Sequence, residues 1–154
     1  MTIYLLALLI GVIAGLRAFT APAAIAWGAG LGWLSVAGTW AGFMGHWIAA
    51  AVFTILAVIE LVSDQLPSTP SRKVATQFGA RIVVGAFSGA VIGATAGLTV
   101  GGMTVGAIGA VIGTLGGAEV RARLAAAFGK DAPAAFIEDA VAIVVGLLIV
   151  HAAS

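Results

Sequence analysis

The chain contains no cysteine. Disulfides and thiolate chemistry are excluded, and cysteine usage says nothing about redox compartment. Charge is nearly as scarce. Seven Lys/Arg and six Asp/Glu make up 8% of 154 residues, against 62% hydrophobic, and the mean hydropathy is +1.18. A soluble domain carries roughly 25% charged residues. A water-facing fold of this composition would therefore expose large apolar patches. The formal net charge is +1 and no basic run is present, which removes the usual footprint of a nucleic-acid partner. The two histidines, His46 and His151, lack metal-ligand spacing. The glycine-rich region lacks the Gly-Lys-Ser/Thr ending of a phosphate loop, and Ser63, Ser68 and Ser71 have no histidine nearby in sequence. No enzyme motif, cofactor site or metal site is expected.

What the sequence does hold is long apolar runs. At ~20 residues per transmembrane helix, residues 1–154 predict one integral membrane domain of the all-α class, a polytopic helix bundle of about five spans. The first starts near Ile3, with no positive residue before Arg17 to mark a signal peptide. It is expected to be broken around Gly15 to Pro22, because proline removes a backbone donor and clashes one turn back. A shorter apolar piece, Ala23 to Leu34, follows. Trp27, Trp33, Trp40 and Trp47 predict interfacial anchors around a loop over 31–45. Further spans are predicted over His46 to Asp64, Arg81 to Leu98, a fourth ending near Arg123, and Ala134 to Val150. Pro67 reads as a stop, Thr69-Pro70 as a helix start, and Asp131 as an N-cap.

Gly85 to Gly117 holds eleven of the 22 glycines. Gly85, Gly89, Gly93 and Gly97 recur every fourth residue, and Gly109, Gly113 and Gly117 do so after an expected Gly101-Gly102 turn. This spacing lets helix backbones approach closely in lipid. It predicts a glycine-faced hairpin of spans three and four, with one stripe available to a second protomer; the expected oligomer is a homodimer. Ile10 to Arg17 also resembles Ile112 to Arg121, and each is followed by an Ala-rich piece and a span bearing carboxylates. The expectation is an inverted repeat whose two units run in opposite senses.

The stretch from Glu60 to Arg81 organises the polar residues. Arg or Asp at a helix centre costs roughly 2.5–3.5 kcal/mol on insertion scales, so Arg17, Glu60, Arg81 and Glu138 are the candidate site, with Asp64 and Asp139 near the interface. They form either an ion-pair cluster locking the spans together or a polar site lining a pathway. Arg17 is expected to face the interior, with Glu60 its first-choice partner and Glu138 its second. Ser68, Thr69, Ser71, Arg72 and Lys73 surround an expected helix start and suit a lipid phosphate headgroup; the plainer reading is a solvated turn. Basic residues place the Arg72-Lys73 and Arg121 to Lys130 loops in the cytoplasm. Five spans then put the N-terminus inside and the C-terminus outside. A re-entrant turn at Arg17 would move the N-terminus outside.

Gly15-Leu16-Arg17 with Thr20-Ala21-Pro22, Glu60-Leu61 with Asp64, Pro67 through Arg72, Gln77-Phe78-Gly79-Ala80-Arg81, Arg121 with Arg123, and Ile137-Glu138-Asp139 resemble the bacterial membrane proteins grouped as domain-of-unknown-function family 4126. The resemblance covers nearly the whole chain. It implies a small multi-pass protein of the bacterial inner membrane and no activity. The expected function, argued from the residues, is a transporter or channel-like protein. The alternative is a non-transporting membrane module that binds lipid phosphate or a partner protein. Membrane lipid is the expected partner, and a lipid-modifying enzyme ranks lowest.

Overall fold

A computed structural model describes residues 1–66, 68 and 71–154. Among these the regular structure is all helical: α1 (Thr2–Leu16), α2 (Thr20–Gly30), a short 3-10 turn (Gly42–Gly45), α3 (Trp47–Ser63), α4 (Ala75–Ala94), α5 (Thr99–Phe128) and α6 (Asp131–Ala152). Three helices, α4, α5 and α6, are long and apolar enough to cross a membrane. That is fewer than the five spans expected. α1 and α3 are apolar but have only 15 and 17 residues.

The first helix breaks earlier than proline predicts. Arg17 takes an extended backbone (φ −139°, ψ 109°) and closes α1. Pro22 is the third residue of α2, where its missing N–H is one of the donors a helix start leaves unpaired anyway. The chain also reverses here. Ala24 and Gly28 of α2 pack level with Gly146 and Val150 of α6, so those two helices run the same way. Arg17 and Ile13 of α1 lie level with Asp139 and Gly146, so α1 runs against α6. α1 and α2 therefore form a hairpin. Met1 and Ser154 come to the same end of the bundle, together with the loop over 31–46 and the turn at 95–98. The Arg17 reversal, the segment after α3 and the α5–α6 turn meet at the other end. All thirteen charged residues of the sequence fall toward that end, which we call the charged end.

Glycine sets the helix spacing. A Cβ on Gly89 would overlap the Gly102 carbonyl, one on Gly106 that of Gly85, and one on Gly93 that of Leu98. This is the antiparallel α4–α5 contact expected of the hairpin. The second stripe behaves differently: Gly109 and Gly113 lie against the backbone of Leu8 and Val12, and Gly11 against Gly106, so they seat α1 rather than α4. Gly101 and Gly102 are not a turn. They lie inside α5, and the turn falls at Thr95–Leu98 around Gly97 (φ +71°). Close packing outweighs glycine's weak helix propensity. α1 and α5 run parallel, since Tyr4 meets Gly101 and Leu16 meets Gly117. The two matching motifs thus run in the same sense, not the opposite senses expected of an inverted repeat.

Other boundaries shift as well. α4 begins at Ala75, with Val74 rather than Thr69 at its N-cap; Pro67, Thr69 and Pro70 lie outside the described residues. Asp131 is the first residue of α6 and no N-cap, since its carboxylate is taken by Arg121. α3 is the least embedded helix. Only Ala50 and Ala57 are buried in it, and it packs on α2 and the 42–45 turn.

Candidate functional site

The reversal at Arg17 to Phe19 leaves the last carbonyls of α1 and the first amides of α2 without helical partners. In an apolar setting each such group costs several kcal/mol. α2 has no cap of its own, since Phe19 offers none. Other helices satisfy part of each set. Arg81 on α4 donates through Nη1 to the Gly15 and Leu16 carbonyls at 3.0 and 2.7 Å. Glu60 on α3 accepts from the Ala18 and Phe19 amides, one on each carboxylate oxygen, at 2.8 and 2.9 Å. The signs match the helix dipoles, with a cation at a C-terminus and an anion at an N-terminus. Glu60 and Arg81 also pair with each other at 3.3 Å.

Arg17 is fully buried and faces the interior as expected, but not toward Glu60. It pairs with Asp64 and with Asp139 (Nε–Oδ1 2.6 Å), while Glu138 stands 4.0 Å away. Glu60 is already committed to the backbone amides, and Asp64, one turn further along α3, lies level with the guanidinium instead. Arg121 reaches the same carboxylates: Asp64 at 2.8 Å, Glu138 at 3.3 Å, and Asp131 through two bonds of 2.9 and 2.6 Å. Arg72 makes a two-pronged bond to Glu138 at 2.5 and 2.9 Å. Gln65 touches the free oxygen of Asp139 at 3.4 Å. Four arginines thus face Glu60, Asp64, Glu138 and Asp139, so this inner set is electrically balanced.

All six residues of the expected cluster, Arg17, Glu60, Asp64, Arg81, Glu138 and Asp139, come together. The phosphate set does not. Arg72 turns inward onto Glu138 instead of lining a helix start, Ser68 and Lys73 are exposed, the Ser71 hydroxyl accepts from the Lys73 amide at 3.3 Å, and Thr69 is outside the described residues. Sequence reasoning missed Arg72 and Arg121 as cluster members because both read as loop cations. The available signal was the surplus of carboxylates over arginines in the predicted spans. His46 and His151 serve locally: His46 accepts the Ile48 amide, and His151 stands edge-on to Trp33.

A cleft of about 340 Å³ opens at the charged end, walled by Ala118, Arg121 and Ala122 of α5 and by Asp64, Leu66, Ser71, Arg72 and Asp131. Glu60 and Arg81 do not line it. A second, apolar groove of about 420 Å³ lies between α2, α3 and α6. Comparison of the chain with protein-family models, curated proteins and solved structures finds no match.

Proposed function

We propose that this is a multi-pass protein of the bacterial inner membrane, of the kind the resemblance to family 4126 implies, and that it works as a binding module for a phosphate-bearing lipid headgroup. The charged end is cytoplasmic by its basic residues, which places Met1 and Ser154 on the opposite face. The observation that carries the reading is the cleft. It presents Arg72 and Arg121 to the charged end and stops short of the Glu60–Arg81 pair. A guanidinium fork fits phosphate as well as it fits carboxylate, so a phosphate competes with Glu138 and Asp131 for the two arginines. The test is thermal unfolding in detergent with added glycerol phosphate. Ligand at 100 times Kd stabilises by ~2.7 kcal/mol. Arg121→Gln should abolish the effect, and an unchanged melting temperature in the wild type would overturn the proposal.

A transporter is the second reading, and the break at Arg17 to Phe19 favours it, because broken helices line the midplane sites of many transporters. Proteoliposomes that move no phosphate or protons while glycerol phosphate still binds would decide for the binding module. A homodimer belongs to the proposal too. The glycine stripes are occupied within the chain, so a second copy has to dock elsewhere; the mass of the purified protein in detergent reports it.

A further inference from the structure

One run of ion pairs at the charged end stays open, and both of its ends face the same cleft. Arg72 holds Glu138 through two bonds, Glu138 meets Arg121 at 3.3 Å, and Arg121 holds Asp131 through two more. Arg72 is the cationic end of the run and Asp131 the anionic end. Both line the cleft of about 340 Å³.

Each end has bonding capacity to spare. A guanidinium carries five N–H groups. Arg72 spends two on Glu138, and none of the other three meets an acceptor among the described residues. Ser71 stands next to it in the lining. Its Oγ accepts the Lys73 amide, which leaves its own O–H to donate. At the other end, a carboxylate has about four acceptor sites, and Arg121 takes two of those on Asp131. The Asp131 side chain is 59% exposed. Asp64 also lines the cleft, but it is only 17% exposed and its Oδ2 is shared by Arg17 and Arg121.

Two arginines and two aspartates line the cleft, so its walls carry no net charge. A bare phosphate gains Arg72 but is repelled by Asp131. Where it draws Arg121 away, it leaves that carboxylate without its cation. A ligand carrying both signs closes the run at both ends. The apolar part of the lining, Leu66 with Ala118 and Ala122, suits a short carbon link between the two charges. We infer that the cleft takes a zwitterionic head: a phosphate diester joined through a short carbon link to a primary ammonium, as an aminophospholipid presents it. The phosphate sits on the Arg72 and Ser71 donors with Arg121 beside it, and the ammonium sits on Asp131. This rests on the phosphate reading of the cleft and names the class of head. Lipid is the source, since the charged end, cytoplasmic on that reading, opens toward the headgroup layer.

The experiment is titration calorimetry of the whole protein in a mild non-ionic detergent with three soluble probes. Glycerophosphoethanolamine carries both charges, glycerophosphoglycerol the same diester without the amine, and ethanolamine the amine alone. Glycerophosphoethanolamine should bind about three- to fivefold tighter than glycerophosphoglycerol, the worth of one exposed ion pair. Ethanolamine should not bind measurably. Asp131→Asn should bring the two diesters to equal affinity, and the wild-type comparison decides even where that variant is unstable. Equal affinity of the two diesters in the wild type overturns the zwitterion and leaves the phosphate reading standing. Ethanolamine binding as tightly as glycerophosphoethanolamine overturns the phosphate reading, and so does a failure of both diesters to bind. A preference that survives in Asp131→Asn overturns the place given to the ammonium. Short-chain phosphatidylethanolamine, which the micelle concentrates, should raise the melting temperature more than glycerophosphoethanolamine at the same total concentration. An equal or smaller rise overturns lipid as the source.

Discussion

Arg17 offers the sharpest test of the cluster. It is fully buried and pairs with Asp64 and Asp139. Arg17→Gln leaves four carboxylates facing three arginines, and Asp139 keeps only a long bond from Gln65. Breaking a buried pair from one side costs about 3–5 kcal/mol, because the partner stays buried and uncompensated. Asp64→Asn should cost less, since Arg17 retains Asp139 and Arg121 retains Asp131 and Glu138. Removing both restores the charge balance. The Arg17→Gln/Asp64→Asn cycle should therefore show a coupling of roughly 1–3 kcal/mol, the range for residues sharing one network. The same cycle built with Glu60→Gln should give a weak coupling of about 0.5 kcal/mol, since Arg17 and Glu60 share only a stretch of backbone. Unfolding of the purified variants in mixed micelles by added SDS, followed by circular dichroism, measures each corner. Equal coupling in the two cycles, or strict additivity with Asp64, would refute the assignment of partners.

Gly89→Leu and Gly106→Leu should abolish the folded species on detergent chromatography, because a side chain at either position meets backbone; Gly79→Leu and Gly116→Leu, with no atom within 4 Å of an added Cβ, should elute as the wild type. Single cysteines at Thr2 and Ser154 should both react with a membrane-impermeant thiol reagent in intact cells, while those at Ser71 and Ala132 should not; opposite labelling of the two chain ends would rule out the α1–α2 hairpin. Glu60→Gln should raise hydrogen exchange across 47–63 while α4 and α5 stay protected, since α3 is lightly packed and local opening follows local contact density.

The helix bundle and six members of the charged cluster, Arg17, Glu60, Asp64, Arg81, Glu138 and Asp139, were legible in the sequence for one reason: apolar length and ionisable residues inside it are both costly exceptions that composition makes visible. The register of contacts was not. Gly101-Gly102 reads as a turn on local propensity, yet helix packing keeps both in α5. An interruption over Gly15 to Pro22 was expected, with a re-entrant turn at Arg17 as the alternative, but its caps were not: Arg81 and Glu60 supply them from α4 and α3, 41 to 66 positions away, and no local signal near residue 17 announces them. The reversal there changes the sense of every later helix, which is why the five-span topology and the inverted repeat failed together. The inward turn of Arg72 was equally hidden, since its partner Glu138 is 66 positions distant.

The Glu60–Arg81 pair carries a last prediction that separates it from ordinary buried ion pairs. Replacing such a pair with hydrophobic residues of similar volume is often neutral or stabilising, because two desolvation costs vanish together. Here the pair also holds the helix break. Glu60 takes two amides and Arg81 two carbonyls. Leucine at 60 with methionine at 81 removes the charges and leaves the Ala18 and Phe19 amides and the Leu16 carbonyl bare, while the Gly15 carbonyl keeps only the Thr114 hydroxyl at 3.3 Å. Burying an unsatisfied donor or acceptor costs roughly 1–3 kcal/mol each, so even two fully uncompensated groups would amount to a few kcal/mol. Glu60→Leu with Arg81→Met should therefore lower stability as much as either single change or more. The Glu119–Arg123 pair, exposed on α5 at 2.8 Å, caps nothing, and its double alanine replacement should cost under about 1 kcal/mol. SDS unfolding of both doubles beside the wild type makes the comparison. A Glu60→Leu/Arg81→Met variant as stable as the wild type would mean that the broken helix satisfies its own backbone, and that the pair is kept for some reason other than capping.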